Sequence, residues 1–216
     1  MNRNQEIIKK IVRVEWDMFT SINEGKSRAS CQDDRVTFEG MRAAQFNAWS
    51  PGACESYLGD LEAALGDGRN LVEEKYIHMM KTTAQRQYDA LLPRVTAPSD
   101  QARALAHEIS DILLEQTRVL FEGYPYVAGH GRPLNSISDC DAVSFETYQL
   151  SELLTYSGKT LSELKDHILA LEKNGVCLAR NILENTVGFF GYRSLDAAEK
   201  ATRERIEKKA TSESHE

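Results

Sequence analysis

Apolar residues recur at three- and four-residue intervals along almost the whole chain, and no stretch alternates in the manner of a half-buried strand. The pattern predicts helices. The first spans about Asn4 to Ile22. The second follows Asp33-Asp34 and ends near Trp49. Ser50-Pro51 supplies an N-cap and a first helical residue for the third, which stops at Gly66-Asp67-Gly68. Asn70 with Glu73 has the spacing of a capping box and opens a fourth helix that reaches about Leu91. A fifth runs from about Asp100 to Phe121. Later helices cover about Val143 to Tyr156, Thr160 to Gly175 (Thr160 and Glu163 again spaced as a capping box) and Val176 to Val187. A last charged helix starts after Ser194, with a tail expected to fray from about residue 210. Between the fifth and sixth helices lies a segment, Glu122 to Ala142, that holds Gly123, Pro125, Gly129, Gly131 and Pro133. A loop of about 20 residues is uncommon inside a compact domain and is often functional. The expectation is one all-α domain over 1–216, a bundle of eight or nine helices with one long Gly/Pro loop.

Polar residues that interrupt the apolar stripes carry the candidate chemistry. At about 100° per residue, Ile8, Ile11, Val12, Met18, Phe19 and Ile22 fall on one face of the first helix, with Glu15 at its centre. A carboxylate there must be paired, because losing its hydration unpartnered costs several kcal/mol. On the second helix Phe38, Met41, Ala48 and Trp49 share a face centred on Gln45, with Arg42 on its flank. Arg42 is therefore either the partner of Glu15 or a fork of donors for a ligand's anionic group. On the fourth helix Val72, Tyr76, Met79 and Thr83 form the inner stripe and Lys75 sits at its edge. An edge lysine ordinarily reaches water, whereas a desolvated one is a candidate nucleophile or base. Gln116 interrupts the stripe of Leu105, Ile109, Ile112, Val119 and Leu120. On the sixth helix Leu150, Leu153 and Leu154 share a face with Glu146, while Glu152 lies nearer Tyr148 and Tyr156, and the phase is ambiguous.

Charge and composition narrow the classes. The 26 Lys and Arg against 33 Asp and Glu leave −7, which argues against nucleic acid or an anionic membrane as the main partner. No apolar run approaches the roughly 20 residues that span a bilayer, and MNRNQEIIKK lacks the apolar core of an export signal. Cys31, Cys54, Cys140 and Cys177 form no CxxC pair, so four reduced thiols in a cytoplasmic protein are expected. Histidines offer only Glu74/His78 and Glu163/His167 at i, i+4, and His78 points roughly 160° away from the inner residue Tyr76. No metal is assigned, and no cofactor is specified.

Several strings occur together. They include Glu15-Trp16 with Met18-Phe19, Ala29-Ser30-Cys31-Gln32-Asp33-Asp34, Met41-Arg42, Gln45-Phe46 and Glu74-Lys75-Tyr76. Later come Gly131-Arg132-Pro133-Leu134, Ser144-Phe145-Glu146-Thr147-Tyr148, Glu152-Leu153-Leu154-Thr155-Tyr156-Ser157, Leu183-Glu184-Asn185-Thr186 and Gly191-Tyr192-Arg193-Ser194-Leu195. From about Glu15 to about Leu195 the chain resembles a bacterial family known only as domain of unknown function 4125. The resemblance implies a small cytoplasmic bacterial protein and supplies no reaction.

Three functional classes follow. The leading one is a small-molecule enzyme or binding protein with a polar pocket inside the bundle, acting on an anionic metabolite. Glu15, Cys31, Lys75 and Tyr76 are its candidate catalytic residues; Arg42, Gln45, Arg132 and Glu146 are its candidate substrate contacts. Cys31 precedes a helix N-terminus, which favours a thiolate, although Asp33 and Asp34 oppose it. The second class is a non-catalytic partner protein docking through Trp16, Trp49 and Tyr57. The third is a carboxylate and histidine metal-dependent oxidase drawing on Glu15, Glu74, Glu146, Glu152, His78 and His167. A homodimer is compatible with each. The long loop is expected to fold over one end of the bundle, anchored by Tyr124 and Tyr126, and to aim Arg132 at the pocket of Glu15 and Arg42.

Overall fold

In a computed structural model that describes residues 2–22, 30–129, 131–135 and 143–213, the helical periodicity is realised as ten α-helices, with no strand among the described residues. They are α1 (Arg3–Ser21), α2 (Arg35–Asn47), α3 (Pro51–Gly66), α4 (Leu71–Thr83), α5 (Gln85–Leu91), α6 (Asp100–Gly123), α7 (Phe145–Leu153), α8 (Gly158–Lys173), α9 (Leu178–Phe189) and α10 (Leu195–Glu213). Short side chains start most of them. Asp34, Ser50, Asn70, Ser99 and Ser144 each accept a hydrogen bond from the backbone N–H three residues on.

Several boundaries differ from the sequence expectation, α7 for one ending at Leu153 and not near Tyr156. The fourth predicted helix breaks at Ala84, which gives ten helices where eight or nine are expected. Thr82 and Thr83 precede the break and both hydroxyls bond back to the Met79 carbonyl, which competes with the helical ladder. The Asn70 capping box is half made, because Glu73 turns its carboxylate to Arg94 at 2.7 Å. α8 begins a turn earlier than Thr160, capped by Ser157, while the buried Thr160 hydroxyl donates to Ser56 at 2.8 Å. α10 runs to Glu213, beyond the expected start of fraying; residues 214–216 lie outside the described residues.

The core lies where α1, α3, α6 and α8 meet. Ile11, Leu61, Ile109, Leu161, Leu164 and Ile168 are fully buried there. α2 lies between α1 and α9, and α7 between α4 and α6. A satellite cluster of Val187, Leu195 and Ala198, joined by Tyr124, Val127, Leu183 and Tyr192, fixes α10 to α9. The start of the long loop belongs to this satellite. Glu199 on α10 accepts from the backbone N–H groups of Tyr126 (3.0 Å) and Val127 (2.8 Å). The loop is thus held by Tyr124 in an apolar cluster and by a carboxylate that satisfies two of its amides. Its far end is tied to α7, where Phe145 N–H donates to the Pro133 carbonyl at 2.8 Å. No described helix is long and apolar enough to cross a membrane.

Candidate functional site

The apolar stripe of α1 brings Glu15 to the centre of the molecule, 2 % exposed. Arg42 meets it with both arms of its fork, Nε to Oε2 at 2.7 Å and a terminal nitrogen to Oε1 at 2.5 Å. The Tyr57 hydroxyl donates to the same Oε1 at 2.8 Å. Arg42 also reaches across to Glu152 on α7, at 3.0 and 3.3 Å, and donates to the Gln45 side chain at 2.8 Å. Glu152 in turn accepts from Tyr156 at 2.6 Å, Gln45 at 3.1 Å and Lys75 at 3.3 Å. Lys75 extends the chain to the Tyr148 hydroxyl at 3.1 Å. Two carboxylates and two cations, all buried, therefore neutralise one another in a single network.

The network shifts the protonation equilibria of Glu152, Lys75, Tyr156 and Tyr57. Burial pushes the Glu152 carboxyl up, but Arg42, Lys75 and the Tyr156 hydroxyl together hold it well below the usual carboxylate range. Burial opposes the Lys75 charge, and Tyr148 and Glu152 more than offset it, so the ammonium is held above its ordinary value. Burial, then Glu152, pushes Tyr156 well above a normal phenol, and burial with Glu15 does the same to Tyr57. A depressed Glu152 contributes stability that is complete above the ordinary glutamate value of 4.5 and is lost as pH falls toward the folded-state value. We expect the melting temperature to fall on acidification below about 4.5 more steeply in the native protein than in Glu152→Gln. Parallel profiles would show that Glu152 is not held as an anion.

Around the outer face of this network opens a cavity of about 510 Å³ between α2, α6, α7, α9 and the long loop. Gln45, Glu152 and Tyr156 form its polar floor. Leu113, Leu120, Phe121, Leu153, Ile182 and Leu183 are among its apolar walls. Arg132 stands at the mouth, its guanidinium 4.6 Å over the Tyr148 ring and its hydrogen bond directed to the Val143 carbonyl at 3.3 Å. Among the described residues no carboxylate pairs with it. The loop thus brings Arg132 to the cavity whose floor is the Glu15–Arg42–Glu152 network.

Of the sequence candidates, Glu15, Arg42, Gln45 and Lys75 meet in the network, and Arg132 meets its outer face. The wheel of α2 is turned from its expected phase: Arg42, Phe46 and Trp49 face inward, Met41 is 42 % exposed, and Gln45 borders the cavity. Lys75 does not reach water at the stripe edge but is 7 % exposed. Tyr76 lies beside the network, its ring under the Lys75 ammonium at 5.5 Å and stacked on Phe19. Glu146 sits in the first turn of α7 and is not part of the cavity wall, to which that helix contributes Phe145, Tyr148, Gln149, Glu152 and Leu153. The side chain of Cys31, and all of His130 and Cys140, lie outside the described residues. Trp49 and Tyr57 are core residues, packed with Phe46 and Tyr156, so they present no docking face. Glu74 pairs with Arg69 through two 2.8 Å bonds instead of His78, and His167 bonds the Ala48 carbonyl. Among the described residues no three His, Cys, Asp or Glu side chains converge as a metal site.

Sequence reasoning missed the roles of Glu152, Tyr57, Tyr148 and Tyr156. The signal for Glu152 was the four-residue spacing Tyr148, Glu152, Tyr156, two phenols bracketing a carboxylate on one stripe. The signal for Tyr57 was its place in the stripe Ala53, Cys54, Tyr57, Leu61, Ala64, where a buried hydroxyl requires an acceptor.

No curated protein and no solved structure matches the chain. A family model described as protein of unknown function does match, over residues 5–200, and takes in every residue of the network and the cavity. The chain belongs to that family, the proteins of unknown function DUF4125.

Proposed function

We propose that this protein binds an anionic small molecule in the cavity bordered by Arg132. One observation carries the proposal: Arg132 is the cation of the site left without a carboxylate among the described residues, while the four buried ions behind it cancel. A guanidinium stacked on a phenol ring is pre-oriented and keeps its outer N–H groups for a ligand. The cavity volume lies within the range of about 300–1,000 Å³ usual for small-molecule sites.

The network is better suited to holding the cavity's shape than to acid–base chemistry. Glu152 stays ionised and Lys75 stays protonated, so neither is poised to exchange a proton near neutrality. Glu15 is separated from the cavity by Arg42 and Gln45 and positions Arg42.

Anilinonaphthalene sulfonate, an anionic probe with an apolar body, tests the proposal by fluorescence titration. Saturable one-site binding is expected. Arg132→Ala should weaken it at least about tenfold, a loss of about 1.4 kcal/mol, with an unchanged melting temperature because Arg132 is exposed. Equal binding by the variant would overturn the proposed role of Arg132.

A further inference from the structure

The cavity offers three polar groups with unspent capacity. The Arg132 fork is one. The Tyr148 hydroxyl is the second: Lys75 has no acceptor, so the phenol oxygen accepts from it, and no described residue accepts the phenol's own hydrogen. Gln149 is the third, for it lines the cavity and its Oε1 is buried without a partner. Leaving such an atom unsatisfied is costly, and a ligand hydroxyl or amide N–H removes that cost once the Gln149 amide turns toward it. Beyond these groups the walls from α6 and α9 are largely aliphatic.

We infer that the ligand is a medium-chain monocarboxylate bearing a hydroxyl or amide N–H close to its carboxyl. This rests on the anion-binding function proposed above. One guanidinium and one phenol match the single charge and two oxygens of a carboxylate, whereas a phosphate dianion would call for more donors. The Gln149 amide, turned toward the cavity, receives the ligand's own donor. Leu113, Leu120, Phe121, Leu153, Ile182 and Leu183 take the alkyl chain. At about 30 Å³ for each heavy atom, 510 Å³ holds roughly seventeen of them, enough for a hydroxydecanoate and far more than a short hydroxy acid fills.

Calorimetric titration of the full chain with β-hydroxydecanoate, decanoate, β-hydroxybutyrate and decanol tests this. β-Hydroxydecanoate is expected to bind best, and the other three at least about tenfold more weakly. Arg132→Ala should abolish the advantage of the acid over decanol, and Gln149→Leu should abolish the advantage of hydroxydecanoate over decanoate. Unchanged melting temperatures would show that both variants are folded. Arg132-dependent binding of β-hydroxybutyrate as tight as that of the long acid would overturn the ligand class and leave anion binding standing. Decanoate equal to hydroxydecanoate, with or without Gln149, would overturn the donor requirement and with it the inference. Absence of Arg132-dependent binding by every acid would overturn both proposals.

Discussion

Replacing Arg42 with methionine should destabilise the protein by about 3–5 kcal/mol, the usual cost of removing one partner from a buried ion pair. For a chain of this length that is a fall of roughly 10 °C in melting temperature. Methionine retains much of the side-chain volume, so the loss is electrostatic more than steric. Glu15 would keep the Tyr57 hydroxyl as its remaining hydrogen-bond donor among the described side chains, and Glu152 would keep Lys75 as its cation beside the neutral donors Tyr156 and Gln45. Two buried carboxylates would then face one cation. Adding Glu15→Gln restores neutrality, and the double variant should recover part of the lost stability. Chemical denaturation followed by circular dichroism gives the comparison. An Arg42→Met protein as stable as the native one would mean that the network is hydrated and contributes little. A double variant less stable than Arg42→Met would show that shape, and not charge, dominates.

Why part of this network is legible in the sequence follows from how each helix is covered. α1 presents a single apolar stripe to the core, so one carboxylate inside it stands out and its need for a cation is readable. α2 and α7 each lie between two other helices. Apolar residues then appear on both flanks and the periodicity loses a clear phase, which puts Arg42 on the edge and favours Glu146 over Glu152. Lys75 is misread because a lysine at a stripe edge normally extends to solvent, and only the arrival of α7 against α4 closes that route. The cavity is a product of tertiary structure: residues from Met41 to Thr186 contribute to it, and no local pattern joins them. The extra helix boundary at Ala84 is not legible in the sequence because hydroxyl back-bonding from two threonines has no hydrophobic signature.

The second large effect is expected at Lys75 and Glu152, and it should be strongly non-additive. Lys75→Met leaves the buried network one charge negative, and Glu152→Gln leaves it one charge positive. Each single change should cost about 3 kcal/mol or more, since an uncompensated buried charge is left behind. The combined change leaves Glu15 with Arg42, a neutral bidentate pair, and the amide oxygen introduced by Glu152→Gln can still accept from Tyr156. The double variant should therefore be more stable than the sum of the single losses predicts, by about 1–3 kcal/mol. Tyr148 adds a control, because its ring lies 4.6 Å from the Lys75 ammonium. Tyr148→Phe keeps that contact while removing the hydroxyl, and it should cost far less than Lys75→Met. Equilibrium denaturation of the four proteins of the cycle measures the coupling directly. Strict additivity would mean that Lys75 and Glu152 do not share one electrostatic unit, and the neutral-network account of why Arg132 is left for a ligand would fall with it.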